Sequence, residues 1–367
     1  MSDALPNLAD HTTPFLRNEW YVAALSSEIT RELLSRALLN RSVLLFRKLD
    51  GTAVALRDRC PHRGFPLSQS RLEGDTITCG YHGLQFGSNG RCTAVPSQDR
   101  VPENLTVQSF PLVESGPYLW IWRGDPALAD PADIPDHHWL YDPSYAAGGG
   151  YMYCRSSYIR LHENVLDLTH FPYVHGAHIG DAEYASMPAL VEVKNGSVSI
   201  SRSLKNRPVP GIFSMMIGNE GHLANRTSES WFISPGFHVS HATIEDLDGG
   251  VADQTDFHTH IIHCFTPATA HSCHYFFQIA RDMNVDDVSV TEAPVEKSRL
   301  TFIEDEEAVE KIEHLWMSED SSDIREMSVV GDRAGLRMRS IIARRAAAER
   351  DGKVTAALLP YRESLTA

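Results

Sequence analysis

The sequence of 367 residues predicts an α+β fold. A small N-terminal all-β domain should lead into a catalytic-sized domain built on an antiparallel sheet with a long packed helix. Three observations predict this. Short apolar or alternating runs broken by turn residues fill Trp20 to about Asp125, the pattern of consecutive short strands. A proline- and aspartate-rich stretch, Asp125 to Pro143, follows and suits a linker. Beyond it, β-like runs between about Val191 and Asp282 give way to a helical pattern from about Pro294 to Trp316. The length admits two domains with their own cores. The expected boundaries are an N-terminal arm at 1–17, a first domain at 18–130 and a second at 131–367.

Composition narrows the class. Hydrophobic content of 42% and charged content of 22% are ordinary for a globular protein. A net charge of −15 argues against a nucleic-acid surface, which needs clustered lysine and arginine. No apolar run is long enough to span a membrane, and the first residues are polar, without the apolar core of a signal peptide. Of the six cysteines, Cys92, Cys154, Cys264 and Cys273 show no paired spacing and read as free thiols. A reduced, cytoplasmic setting is the expectation.

In the first domain, SVLLFRKLDGTAVALRD reads as two strands joined around Asp50-Gly51, a favoured hairpin pair. TITCGYHGLQF and YLWIWRG continue the all-β pattern. Four metal donors lie in this stretch. Cys60 and His62 sit in one short loop, and Cys79 and His82 in a second. Two thiolates and two imidazoles can close a tetrahedral zinc site, or hold a [2Fe–2S] cluster with cysteines on one iron and histidines on the other. Zinc fingers usually pair their cysteines first and their histidines later. Here each loop carries one of each, which favours the cluster and leaves zinc as the alternative.

The second domain opens with HENVLDLTHFPYVH. On a helix, Asn164, Asp167 and His170 share a face, while Val165, Leu166 and Leu168 can pack on the remaining arc. Pro172 should end or kink that helix and let His175 swing back toward His170. Two histidines with one carboxylate and open positions form the facial triad of dioxygen-activating ferrous sites. Taken alone, His-x4-His also fits histidines that merely satisfy a helix end. In TFIEDEEAVEKIEHLW, Phe302, Asp305, Val309, Ile312 and Trp316 fall at helical spacing, and Asp305 is the single charge on that stripe. A buried unpaired carboxylate is costly unless a metal or partner neutralises it. Asp305 is therefore the third ligand expected, with Glu306 as the fallback; Glu304 and Glu307 read as a solvated face. The strand-like runs SVSISRSL, WFISPGFHVSHATI, THIIHCFTP and CHYFFQIA, and the helical tail DRAGLRMRSIIARRAAAER, complete the domain.

C-P-H-R-G and C-G-Y-H-G resemble the cluster loops of Rieske proteins, and Asn-x2-Asp-x2-His-x4-His resembles the mononuclear iron motif of Rieske non-heme iron oxygenases. From about Asn18 to about Gly352 the chain resembles alpha subunits of that family, of the dicamba and vanillate O-demethylase type. The resemblance implies an N-terminal Rieske domain and a helix-grip catalytic domain. It implies a [2Fe–2S] cluster on Cys60, His62, Cys79 and His82, and Fe(II) on His170, His175 and Asp305, with O2 as co-substrate. Electrons would come from NAD(P)H through a separate flavin reductase, directly or through a ferredoxin. Asp167 would hydrogen-bond His170 and the outer cluster histidine, His82, of a neighbouring subunit in a head-to-tail homotrimer, with Asn164 beside it in the catalytic motif. His263, just before the Thr266-Pro267 step, stands where relatives hold a substrate carboxylate; His241, Phe237 and Met215 are further pocket candidates. The reaction implied is O- or N-demethylation of a small aromatic acid with release of formaldehyde. Ring hydroxylation and cis-dihydroxylation remain alternatives, as does an electron-transfer protein with a non-catalytic second domain.

Overall fold

The computed structural model describes residues 15–175, 186–251, 254–319 and 326–352. The chain divides into two compact units, one of residues 17–134 with 266–269 and one of the remainder.

The first unit is all-β. Its strands are β1 (Trp20–Leu25), β2 (Leu34–Leu38), β3 (Arg41–Arg47), β4 (Ala53–Arg57), β5 (Arg71–Glu73), β6 (Thr76–Thr78), β7 (Gln85–Gly87), β8 (Cys92–Ala94), β9 (Leu112–Ser115) and β10 (Tyr118–Trp122). They form three small antiparallel sheets, ordered β1-β10-β9, β2-β3-β4 and β5-β6-β7-β8. The β3–β4 connection turns at Asp50-Gly51, where Gly51 takes φ +86° and the Asp50 carboxylate accepts from Thr52 N. That φ suits glycine because it lacks a Cβ. Every residue of β10 is buried, and its Trp122 packs edge-on against Trp20. Leu44, Phe46, Leu67, Ile77 and Phe86 make the apolar floor on which Cys60 and Cys79 rest.

The second unit contains β11 (Ala146–Cys154), α1 (Tyr158–Leu166), α2 (Phe171–Val174), β12 (Leu190–Lys194), β13 (Ser197–Pro208), α3 (Gly211–Ile217), β14 (Leu223–Ser234), β15 (Phe237–Asp246), β16 (Asp256–Thr269, all but its last four residues), β17 (Ser272–Arg281), α4 (Ser289–Ser318) and α5 (Arg333–Arg350). Seven strands pair in the order β11-β17-β16-β15-β14-β13-β12. Ile159 and Leu161 of α1, Phe302 and Val309 of α4, and Met338 and Ile342 of α5 share one core with Phe232, Phe265, Tyr275 and Phe277 of the sheet.

Two details depart from the sequence reading. The long helix begins at Ser289, and Pro294 lies inside it, buried. Its buried stripe also runs differently. Phe302, Val309 and Trp316 face inward, but Ile312 is exposed and Glu313 takes the inward place. The 3.6-residue period carries the buried line from Val309 to Glu313, and Glu313 is tolerated there because Arg160 and His271 pair with it at 2.8 and 2.7 Å.

Candidate metal centres

The two loops of the first unit are near copies of each other. Cys60 N donates to Phe65 O and Gly64 N to Cys60 O; Cys79 N donates to Leu84 O and Gly83 N to Cys79 O. Gly64 and Gly83 take φ +77° and +73° at equivalent places. Both cysteines are buried, whereas His62 and His82 are exposed, with ring centroids 4.6 Å apart. Burial, chiefly, pushes the Cys60 thiol up, and the adjacent Cys79 thiol adds to this. A group that binds thiolates removes that penalty. The four donors do not converge on one point. Among the described residues, the sets of three or more donors within 4.8 Å of one another are His170/His175/Asp305 and Cys154/Glu306/Glu310. A tetrahedral zinc ion would need all four loop donors about that close. A two-iron cluster, with sulfurs on one side and imidazoles on the other, fits the split.

The second centre is built by the break after α1. Asp167 leaves the helix with φ −110° and ψ 95°, and its carboxylate accepts from Thr169 N and Thr169 Oγ1. A short 3-10 turn, Leu168–His170, and then α2 follow. The expected interruption therefore falls at Asp167 and not at Pro172. Pro172 sits in the first turn of α2, where a missing N–H costs no helical bond. His170, His175 and Asp305 of α4 come together: His170 Nε2 and His175 Nε2 stand 3.3 and 3.0 Å from Asp305 Oδ1.

The hydrogen bonds around this trio fix how it presents itself. His170 Nδ1 is bonded to the Asp167 backbone carbonyl, and His175 Nδ1 to Glu304 Oε2 at 2.8 Å. Both acceptors require a proton on Nδ1, which leaves each Nε2 as a lone-pair donor. Those two buried Nε2 atoms make no hydrogen bond, although they face the same carboxylate oxygen. Two imidazole lone pairs and one carboxylate oxygen aimed at one point fit a divalent iron with open positions. Asn164 Nδ2 donates to Asp305 Oδ1 at 2.9 Å and so holds that carboxylate in place. Glu304, which the sequence reading left on a solvated face, is the acid that orients His175. Asp167 bonds His170 through its main-chain carbonyl, and its carboxylate serves Thr169.

A cavity of about 130 Å³ opens on this trio, walled mainly by Leu161, Phe213, Met216, Ile261, Phe302 and Tyr275. That is close to the ~150 Å³ of an apolar cavity known to take up benzene. His263 lines it, with Nε2 3.2 Å from Ser240 Oγ and Nδ1 2.7 Å from Tyr275 OH. Burial pushes its pKa down to about 3, so the ring is neutral. His241 also lines the cavity. Met215 is exposed and its neighbour Met216 takes the lining place, while Phe237 is buried elsewhere in the core.

Residues 19–111 match the Rieske [2Fe-2S] domain, and residues 154–348 the vanillate O-demethylase oxygenase C-terminal domain. The iron-sulfur subunit of a toluene-4-sulfonate monooxygenase system from Comamonas testosteroni is 34% identical over 82% of this chain and 89% of its own length. The oxygenase component of dicamba O-demethylase from Stenotrophomonas maltophilia is 34% identical over 88% of this chain and 96% of its own. Among solved structures, dicamba monooxygenase bound to dicamba superposes with a TM-score of 0.80 at 31% identity, covering 92% of this chain and 99% of that one.

Proposed function

This chain belongs to the Rieske non-heme iron oxygenases, as the oxygenase component of a monooxygenase with a [2Fe–2S] cluster and a mononuclear iron, and we propose that it demethylates a small aromatic acid at oxygen or nitrogen. The observation that carries this reading is the convergence of His170 Nε2, His175 Nε2 and Asp305 Oδ1 on the wall of a cavity sized for one aromatic ring. In this reading those three residues hold the iron, and Cys60, His62, Cys79 and His82 hold the cluster. The iron, when bound, supplies activation of dioxygen.

The chain's own residues do the rest. Asn164 fixes Asp305, Glu304 fixes the His175 tautomer, and the Asp167 carbonyl fixes that of His170. The apolar walls exclude water from the reacting carbon. Neutral His263 donates Nε2–H to the acid group of the substrate in exchange for Ser240. A separate NAD(P)H-dependent flavin reductase, with or without a ferredoxin, supplies electrons. Asp167 meets His82 of a neighbouring subunit in a head-to-tail homotrimer. Overall, an aryl methyl ether, O2, two electrons and two protons give the phenol, formaldehyde and water.

The test is a single turnover of chemically reduced protein with O2 and a panel of methoxy, N-methyl and unsubstituted aromatic acids, read by mass spectrometry and a formaldehyde assay. Loss of a methylene unit with formaldehyde is expected. Gain of one oxygen without formaldehyde would replace demethylation by hydroxylation, a reading favoured by the similarity to a toluene-4-sulfonate monooxygenase subunit. Gain of two oxygens and two hydrogens would mean dihydroxylation.

A further inference from the structure

We propose that His162 and His238 share one excess proton in the native protein, and that with Ser230 they act as positioning residues for the end of α1. The observation is a chain of four polar links, three of them buried and the last part-buried. His162 Nε2 lies 3.0 Å from Pro235 O, and His162 Nδ1 lies 3.2 Å from His238 Nδ1. His238 Nε2 lies 2.7 Å from Ser230 Oγ, which lies 2.7 Å from Val165 O. Both rings are fully buried.

The proton count follows from the two ends, which are carbonyls and only accept. The link to Pro235 O needs a hydrogen on His162 Nε2. The link to Val165 O uses the single hydrogen of Ser230, so His238 Nε2 must donate to Ser230. The central link between the two Nδ1 atoms needs one hydrogen more. The rings together must therefore carry three ring N–H hydrogens, and two neutral imidazoles carry two. A neutral pair has to surrender a link: two lone pairs face each other at 3.2 Å, or the Val165 carbonyl or the Pro235 carbonyl loses its donor. One imidazolium shared across the pair completes every link.

The surroundings are apolar with neutral ends. His162 is flanked by Tyr158 of α1, Phe232 of β14 and Phe265 of β16. His238 faces His263 of β16, whose own burial keeps it neutral, and the Asp305 carboxylate of α4 acts on His263. Burial opposes charge on either ring taken alone; charge-assisted links, stronger than neutral ones, oppose that effect. Val165 O is one of the last four carbonyls of α1, which have no acceptor role inside the helix. Ser230 gives it a partner between Asn164, which holds Asp305, and Asp167, which holds His170. The shared proton thus lets the pair hold both ends at once, the Pro235 carbonyl and, through Ser230, the helix end that carries Asn164 and Asp167.

The positioning half of this proposal rests on the function proposed above; the proton count does not. Neutron diffraction from exchanged crystals of the complete protein at neutral pD should show three deuterons on the four ring nitrogens, with the Ser230 deuteron pointing at Val165 O. Two ring deuterons would overturn the proposal. Ser230→Ala removes the two links at that end, so its rings should carry two deuterons; three would overturn the count. In the wild type, product formed per O2 consumed should fall at alkaline pH as the pair loses its proton. Ser230→Ala should be several-fold lower and flat across the same range. A wild-type alkaline fall retained in Ser230→Ala, or none in the wild type, would overturn the positioning role. Failure of every aromatic acid to be oxidised would instead sink the proposed function and leave the deuteron count standing.

Discussion

At the scale of residues, the metal centre is two layers of partners deep, and the layers make different predictions. Asp305→Ala removes one of the three converging donors. Substrate oxidation should be abolished and iron should fall by one atom per chain, while the visible spectrum of the cluster persists. Full activity in that variant would displace Asp305 from the proposed ligand set. Glu304→Ala leaves the donors but frees the His175 Nδ1 proton that Glu304 accepts. Loss of such an outer partner typically lowers metal affinity about 10- to 100-fold, which competition with a chelator measures; unchanged affinity would refute the assignment. The meeting of His170, His175 and Asp305 was legible because an isolated charge on an apolar stripe and the resemblance of the histidine motif to a known family pointed to them. Glu304 was not, because one step round a helix from Asp305 it looks like any solvated acid. What placed it was the return of His175 from another element, which no local pattern encodes. The His162–His238 link was hidden for the same reason, its partners lying on α1 and β15.

At the scale of elements, β11 approaches its neighbours as closely as glycine allows. A Cβ at Gly149 would lie 1.9 Å from Phe277 O, and one at Gly148 would lie 2.6 Å from Thr291 Cγ2. Gly149→Ala meets a backbone atom, so β11 or β17 must move. Overpacking of this kind typically costs about 1–3 kcal/mol, and urea denaturation should show the loss; a midpoint equal to wild type would refute it. The sequence yielded the hairpin at Asp50-Gly51 and the long helix, both carried by local chemistry. It misplaced the break after α1 because Asp167, an acid able to cap the following turn, ends that helix five residues before Pro172. It also placed Ile312 inside, where the charged but paired Glu313 lies. Apolar periodicity alone cannot tell a paired acid from a solvated one.

At the scale of the whole molecule, buried neutral histidines tie stability to pH. His263 titrates in the folded chain near pH 3 and His260 is also lowered, in both cases chiefly by burial. Free histidine titrates near ~6.5. Between those values the unfolded chain binds a proton that the folded chain refuses, so stability rises with pH in that window and is lost as pH falls through it. Each such histidine contributes a slope of about 1.4 kcal/mol per pH unit. The urea midpoint should therefore drop as pH falls below ~6.5, before most carboxylates start to protonate. A midpoint constant down to pH ~5 would contradict this.

The pairing of β11 with β17 joins Cys154 to Cys273 and Ala146 to Arg281. Everything between these partners must be made before the sheet can close. During synthesis β11 leaves the ribosome before its partner, with β12 to β16 made in between. Contacts so distant in sequence slow folding and leave strand edges open for longer. A chain interrupted before Arg281 would lack the strand that β11 needs, and α4, which carries Asp305, would not yet exist. The proposed iron site is thus completed late in translation, after its two histidines have long been in place.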